Sequence, residues 1–123
     1  MAPLPELHTP TPVFEARPGL WVKDESTIAA PYGGNKVRKL SRILRAVLAR
    51  DRAAVVTCGG VGSHHVYATA KFARACGLDT HAVLFPGPRS PDAEAHAAGI
   101  VRECRSITTC ETPAAASRTM AEL

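Results

Sequence analysis

The sequence predicts an α/β protein, a three-layer α/β/α arrangement around a mostly parallel sheet, and three observations carry that prediction. Short apolar, β-branched runs recur: AAVVT at 53–57, THAVLF at 80–85 and SITTC at 106–110. Stretches with helix start or stop signals lie between them. A glycine-rich junction, CGGVGS, joins the end of the first run to the next helix. Strands that alternate with helices build β-α-β units, and these bury a parallel sheet under helices on both faces.

Taken in order, GLWVKD at 19–24 reads as a short strand. A glycine-rich turn, YGGNK, then opens a basic amphipathic helix that runs towards Asp51. Wound at roughly 100° per residue, Val37, Leu40, Ile43, Leu44, Val47 and Leu48 share one apolar arc of about 140°. Arg38, Lys39, Arg42 and Arg45 take the opposite face. Lys36 projects into the apolar arc at the helix start. An ammonium is misplaced there, because the first turn carries unpaired N–H groups and the positive end of the helix dipole. Either its aliphatic stem carries it out to water, or it is the poised amine of Schiff-base chemistry.

Ala53 to Thr57 suits a buried parallel strand. It leads into a helix from about His64 to Cys76, stopped by Gly77. After the next strand, Ser90 and Pro91 supply a cap followed by a first-turn proline for a helix reaching about Cys104. Thr112 and Pro113 repeat that signal after SITTC, for a helix that runs to the end of the chain. The chain thus divides into residues 1–52, which carry the lysine helix, and residues 53–123, an open-sheet portion.

Composition excludes several classes. The 46% hydrophobic and 21% charged residues are those of a globular domain, and no apolar run is long enough to span a membrane. Without a basic, then apolar, leader at the N-terminus, the expected location is the cytoplasm. Cys58, Cys76, Cys104 and Cys110 form no zinc spacing and are expected as reduced, packed thiols. Seven of the fifteen basic residues fall between Lys36 and Arg52. No aromatic residues interleave with them for base stacking, so they read as a solvated helix face and not as a nucleic-acid surface.

Ligands of open parallel sheets sit where a strand's carboxyl end delivers the chain into a helix, and TCGGVGSHH is such a junction. Gly59, Gly60 and Gly62 allow a tight turn with outward N–H groups, and Ser63 can cap the helix, which suits a carboxylate or a phosphate. Turn chemistry alone is the other reading of the same glycines. The Walker pattern fails for want of a lysine, and G-x-G-x-x-G fails because His65 stands at the third glycine. His64 and His65 point about 100° apart on a helix and do not share a metal ion, so one of them is read as a ligand-facing hydrogen-bonding group.

TPTPV, LWVKDE, YGGNKVRKL, VVTCGGVGSHH, ATA and GL before the following strand occur in an order and spacing that carry a resemblance. Over about residues 7–86 the chain resembles the start of pyridoxal-phosphate enzymes of the tryptophan synthase β-like fold. It is most similar to the 1-aminocyclopropane-1-carboxylate deaminase and D-cysteine desulfhydrase family. The resemblance implies an incomplete version of that fold. It implies that Lys36 binds pyridoxal 5'-phosphate covalently and moves protons, with Asn35 and the two glycines aiming it and His64 at the cofactor ring. It further implies that Ser63, with Gly60, Gly62, His64 and His65, grips the carboxylate of a small amino-acid substrate. The starts of the two helices would then face one cleft, with the arginine-rich face turned away.

The family usually has glutamine where Gly62 stands and asparagine where His64 stands. Its phosphate-binding glycine loop and the partner of the ring nitrogen come later in the chain, whereas after Gly87 this sequence has only Gly99. The implied function is a deaminase or lyase present as an N-terminal portion, which works as a homo-oligomer or with a missing C-terminal portion. The alternative is a non-catalytic remnant or interaction module.

Overall fold

The computed structural model describes residues 4–30 and 32–123. A hairpin comes first, β1 (Val13–Arg17) and β2 (Leu20–Lys23), paired antiparallel with a register shift between Glu15 and Arg17. Helix α1 (Val37–Leu48) follows, then β3 (Ala54–Gly60), α2 (His64–Ala75), β4 (Asp79–Phe85), α3 (Pro91–Glu103), β5 (Ser106–Thr109) and α4 (Pro113–Glu122). Strands β3, β4 and β5 form a parallel sheet in that order, and the register runs unbroken from Ala54 opposite Asp79 to Gly60 opposite Phe85.

The α/β class and the alternation of elements expected from the sequence are found. Helices α2 and α3 pack together, with α2 on β3 and β4, and α4 lies against β3 and β4 from the other side. Helix α1 packs beside α2. No described helix is long and apolar enough to cross a membrane.

Each boundary has a local cause. Ser63, Ser90 and Thr112 accept hydrogen bonds from the N–H groups of Val66, Ala93 and Ala115, so each caps its helix three residues on. Pro91 and Pro113 occupy first-turn positions where no N–H is needed. Gly77, at φ +76°, ends α2.

Two cores result. Leu40, Leu44 and Leu48 of α1 meet Ala68, Phe72 and Cys76 of α2, with Ile28 beneath them. Val66, Ala82, Leu84 and Ile100 fill the space between α2, α3 and the sheet. The cysteines are free, as expected, and Cys76 is buried.

Two expectations shift. The strand that was expected over 53–57 extends to Gly60, because the glycines continue the ladder with β4. Ile43, counted in the apolar arc of α1, is 46% exposed, since among the described residues nothing covers that part of the arc. The hairpin has a strand the sequence reading omitted, β1, and its Val13, Phe14, Leu20 and Trp21 side chains are exposed.

Candidate functional site

The candidate site is built on two turns, each entering a helix. The first, residues 32–36, enters α1. Gly33 lies so close to the backbone of Ser26 that an added Cβ would sit 1.6 Å from its carbonyl oxygen. The N–H of the next glycine donates to the Glu25 carbonyl at 2.7 Å, so the turn is pinned to the segment after β2. That segment is held in turn by the Glu25 carboxylate, which accepts from Arg38 of α1, Lys23 of β2 and Thr11. The Arg38 guanidinium first, then Lys23 and Thr11, hold the Glu25 carboxyl at about 2, well below the usual carboxylate range.

Lys36 stands at the cap of α1 in helical conformation, half-buried. It makes no side-chain cap, and the first turn of α1 holds no acidic residue. Among the described residues its ammonium has no carboxylate partner within salt-bridge distance. Asn35 is exposed beside it.

The second turn, residues 61–63, leaves the carboxyl end of β3 and enters α2. Here Ser63 is half-buried and spends its oxygen on the cap. Gly62 has φ +81°, a left-handed conformation that glycine alone adopts freely, and its Cα faces α3, where an added Cβ would meet the Ala93 carbonyl oxygen at 2.4 Å. Gly60 lies beside Gly87 and Phe85. Both glycines therefore shape the loop against its sheet neighbours and α3.

The structure brings the two turns together through His64 and residues the sequence reading did not single out. The Tyr32 hydroxyl and His64 Nδ1 are 3.0 Å apart. Tyr32 also meets the edge of Tyr67 at 5.5 Å, and burial raises its phenol pKa above the usual value. His64 stacks at 4.0 Å on His96 of α3, which in turn lies 5.2 Å from Tyr67. Burial, and then the neighbouring His64, lower the pKa of His96. His65 is half-buried with its Nδ1 enclosed and without a hydrogen-bond partner. Burial first, then the charges of Lys39 and Lys36, lower its pKa and favour the neutral imidazole.

The tie from Tyr32 to His64 brings the turn that leads to Lys36 beside the start of α2. Of the residues expected at the site, His64 joins the two turns, with Ser63 and His65 beside it at the start of α2; Asn35 and Lys36 lie at the start of α1, Gly60 packs on Gly87 and Gly62 on α3. Sequence offered one signal for the missed Tyr32, its position directly before the two glycines. None pointed to His96, which lies 32 residues from its stacking partner.

The arrangement presents an amine at one helix start and, at the other, the first-turn N–H groups of α2, since those of Val61 and Ser63 are taken by Phe85 and Gly60; it suits a small molecule carrying a carboxylate next to a carbonyl or amine. A phosphate cradle is a different matter. Gly99, the one later glycine, is buried under Tyr67, where a Cβ would come within 2.3 Å of the ring. It serves packing. A separate cavity of about 430 Å³ at the ends of β4 and β5 is lined by Val61, Phe85, Gly87, Ala93 and Cys110 among others, and by none of the turn residues named above except Val61.

No family model matches the chain. Curated relatives do. The bifunctional D-cysteine desulfhydrase/1-aminocyclopropane-1-carboxylate deaminase of Arabidopsis thaliana is 33% identical over 84 residues, 63% of this chain and 21% of the relative. A putative 1-aminocyclopropane-1-carboxylate deaminase of Pyrococcus horikoshii is 35% identical over 65 residues, 53% of this chain and 20% of the relative. Its counterpart in Thermotoga maritima is 39% identical over 59 residues, 48% and 19% respectively. The family likeness read from the sequence is thus borne out over about half of the chain. The aligned part spans about a fifth of the length of these relatives.

Proposed function

We propose that the chain carries the lysine and the carboxylate-binding turn of a pyridoxal-phosphate-dependent deaminase or desulfhydrase acting on a small amino acid. In this reading residues 1–52 bring Lys36 and residues 53–123 bring the loop at Ser63. The observation that carries it is the tie between Tyr32 and His64, which draws the start of α1 to the start of α2.

The residues present fit one end of the cofactor. Lys36, without an acidic partner at a helix start, is placed to act as an amine nucleophile and then to hold or return a proton at Nζ. The N–H groups of the first turn of α2, after Ser63, are placed to bind a carboxylate and orient it. His64, held by Tyr32, can offer its other ring nitrogen to a ligand, and His65 remains uncharged beside it. When bound, pyridoxal phosphate would supply the electron sink for cleavage next to the substrate's amine-bearing carbon.

The phosphate end does not fit, because among the described residues no glycine loop is free to hold it. Its anchor has to come from other polypeptide. The exposed apolar hairpin supports a working unit larger than this chain.

The test is reductive capture. Excess pyridoxal phosphate followed by borohydride is expected to label Lys36 in preference to Lys23, Lys39 and Lys71, at millimolar cofactor because the phosphate is unheld. Equal labelling of the four lysines in a peptide map would sink the reading. A second reading, a remnant that keeps the fold without the chemistry, is favoured by the packing role of Gly99 and predicts that outcome.

A further inference from the structure

We propose that the cavity at the carboxyl ends of β4 and β5 binds an apolar α-amino acid in its zwitterionic form, apart from Lys36 and the turn at Ser63. The cavity holds about 430 Å³, within the range of small-molecule pockets. A parallel sheet offers ligands the carboxyl ends of its strands, and this opening lies where β4 ends at Phe85 and β5 ends at Thr109.

Its interior is apolar and held by packing. Leu84, 5% exposed, is the most buried of its lining residues, and Ala93 and Ala97 of α3 are half-buried beside it. Pro86 and Pro88 bring no N–H to the wall. The Val61 N–H is taken by the Phe85 carbonyl at 2.8 Å. Gly87 lies so close to Val61 that an added Cβ would be 3.1 Å from its carbonyl oxygen, so the loops after β3 and β4 brace each other.

Two charges of opposite sign line this apolar space. Arg89 stands directly before the Ser90 cap of α3, and Glu94 belongs to the first turn of that helix. Among the described residues neither pairs with the other, nor with any third group within salt-bridge distance. Opposed charges left unpaired beside one cavity match a ligand that carries both signs on a small head. The Arg89 guanidinium, near the positive end of α3, takes the carboxylate and Glu94 takes the ammonium. The ligand's side chain leaves water for Leu84, Ala93 and Ala97. A purely apolar ligand would use neither charge, and an inorganic phosphate would meet the Glu94 carboxylate.

The cavity touches the back of the loop that enters α2. Val61 directly precedes Gly62, and Gly62 packs on Ala93. If that loop leads to the carboxylate-binding turn, as the proposed function has it, the cavity's ligand is a regulator of the turn and not its substrate.

The probe is L-phenylalanine, titrated into the full chain and followed by NMR of methyl and amide groups. Saturable shifts are expected at Val61, Leu84, Ala93 and Ala97, with a dissociation constant below about 1 mM. Hydrocinnamate, which lacks the ammonium, and phenethylamine, which lacks the carboxylate, should each bind at least about tenfold more weakly. Arg89→Gln and Glu94→Gln alter side chains that are exposed, so the fold is expected to survive both. Each should weaken L-phenylalanine at least about tenfold. No saturable shift by about 10 mM ligand, or an affinity indifferent to both variants and to the loss of either charge on the ligand, overturns the proposal. Shifts confined to His64, His65 and the rest of the first turn of α2 also overturn it, and they leave the reading of the turn at Ser63 standing. That reading fails separately, through equal borohydride labelling of the lysines, with the shifts at Ala97 unaffected.

Discussion

The starts of α1 and α2 lie side by side and are finished in opposite ways. Helix α2 closes itself: Ser63 turns its oxygen onto the Val66 N–H, and the loop before it is braced by α3. Helix α1 is left open, with a cation at the cap position, no side-chain cap and no acidic residue in its first turn. A sequence that served stability alone would have put aspartate or serine at position 36. The open start is held in place from outside, by Gly33 on Ser26 and by the ion network at Glu25. Stability is thus supplied at a distance from Lys36.

Breaking the external brace should have the largest effect. Gly33→Ala drives a Cβ into the Ser26 carbonyl and is expected to cost about 3 kcal/mol in denaturant unfolding, by overpacking against backbone that cannot yield. The same change at Gly19, where an added Cβ meets nothing within 4 Å, should cost less.

The contrast between the two caps gives the next effect, and its sign differs between them. Ser63→Ala should lose about 1 kcal/mol, the usual cost of a missing cap. Lys36→Asp should gain about 0.5 kcal/mol, because a carboxylate suits the helix dipole where an ammonium does not. The same variant should abolish the preferential capture of pyridoxal phosphate. A Lys36→Asp protein less stable than the parent in thermal melts would mean that the lysine is structural.

The smallest effect concerns the ion network, whose two cations, Lys23 and Arg38, are exposed. Glu25 has a folded-state pKa of about 2 against an ordinary 4.5, so its contribution is full above about pH 4.5 and is lost as pH falls through 2. The Tm gap between the parent and Glu25→Gln should accordingly be widest near neutrality and close between those values. A gap that persists unchanged at pH 2 would show that the carboxylate charge plays no part.

What could be read from the sequence was what is decided locally. Ser63, Ser90 and Thr112 each act on an N–H three residues away, so their capping was legible, and so were the β-branched runs of the sheet. Lys36 was legible as an oddity because helix electrostatics make it one. The tie from Tyr32 to His64 spans 32 residues and depends on how α1 and α2 pack, which no local pattern encodes. Strand β1 was missed because its residues, VFEAR, bury no face and leave no clean alternation. Periodicity put Ile43 with the core correctly as to side, yet it cannot tell whether anything covers that side.

The contact of Gly62 with Ala93 locks the loop and α3 to each other. A Cβ at position 62 would enter the backbone of α3. A larger residue can be admitted there only if α3 withdraws, so position 62 cannot vary alone: any change to it has to be matched by a second one in the neighbouring helix.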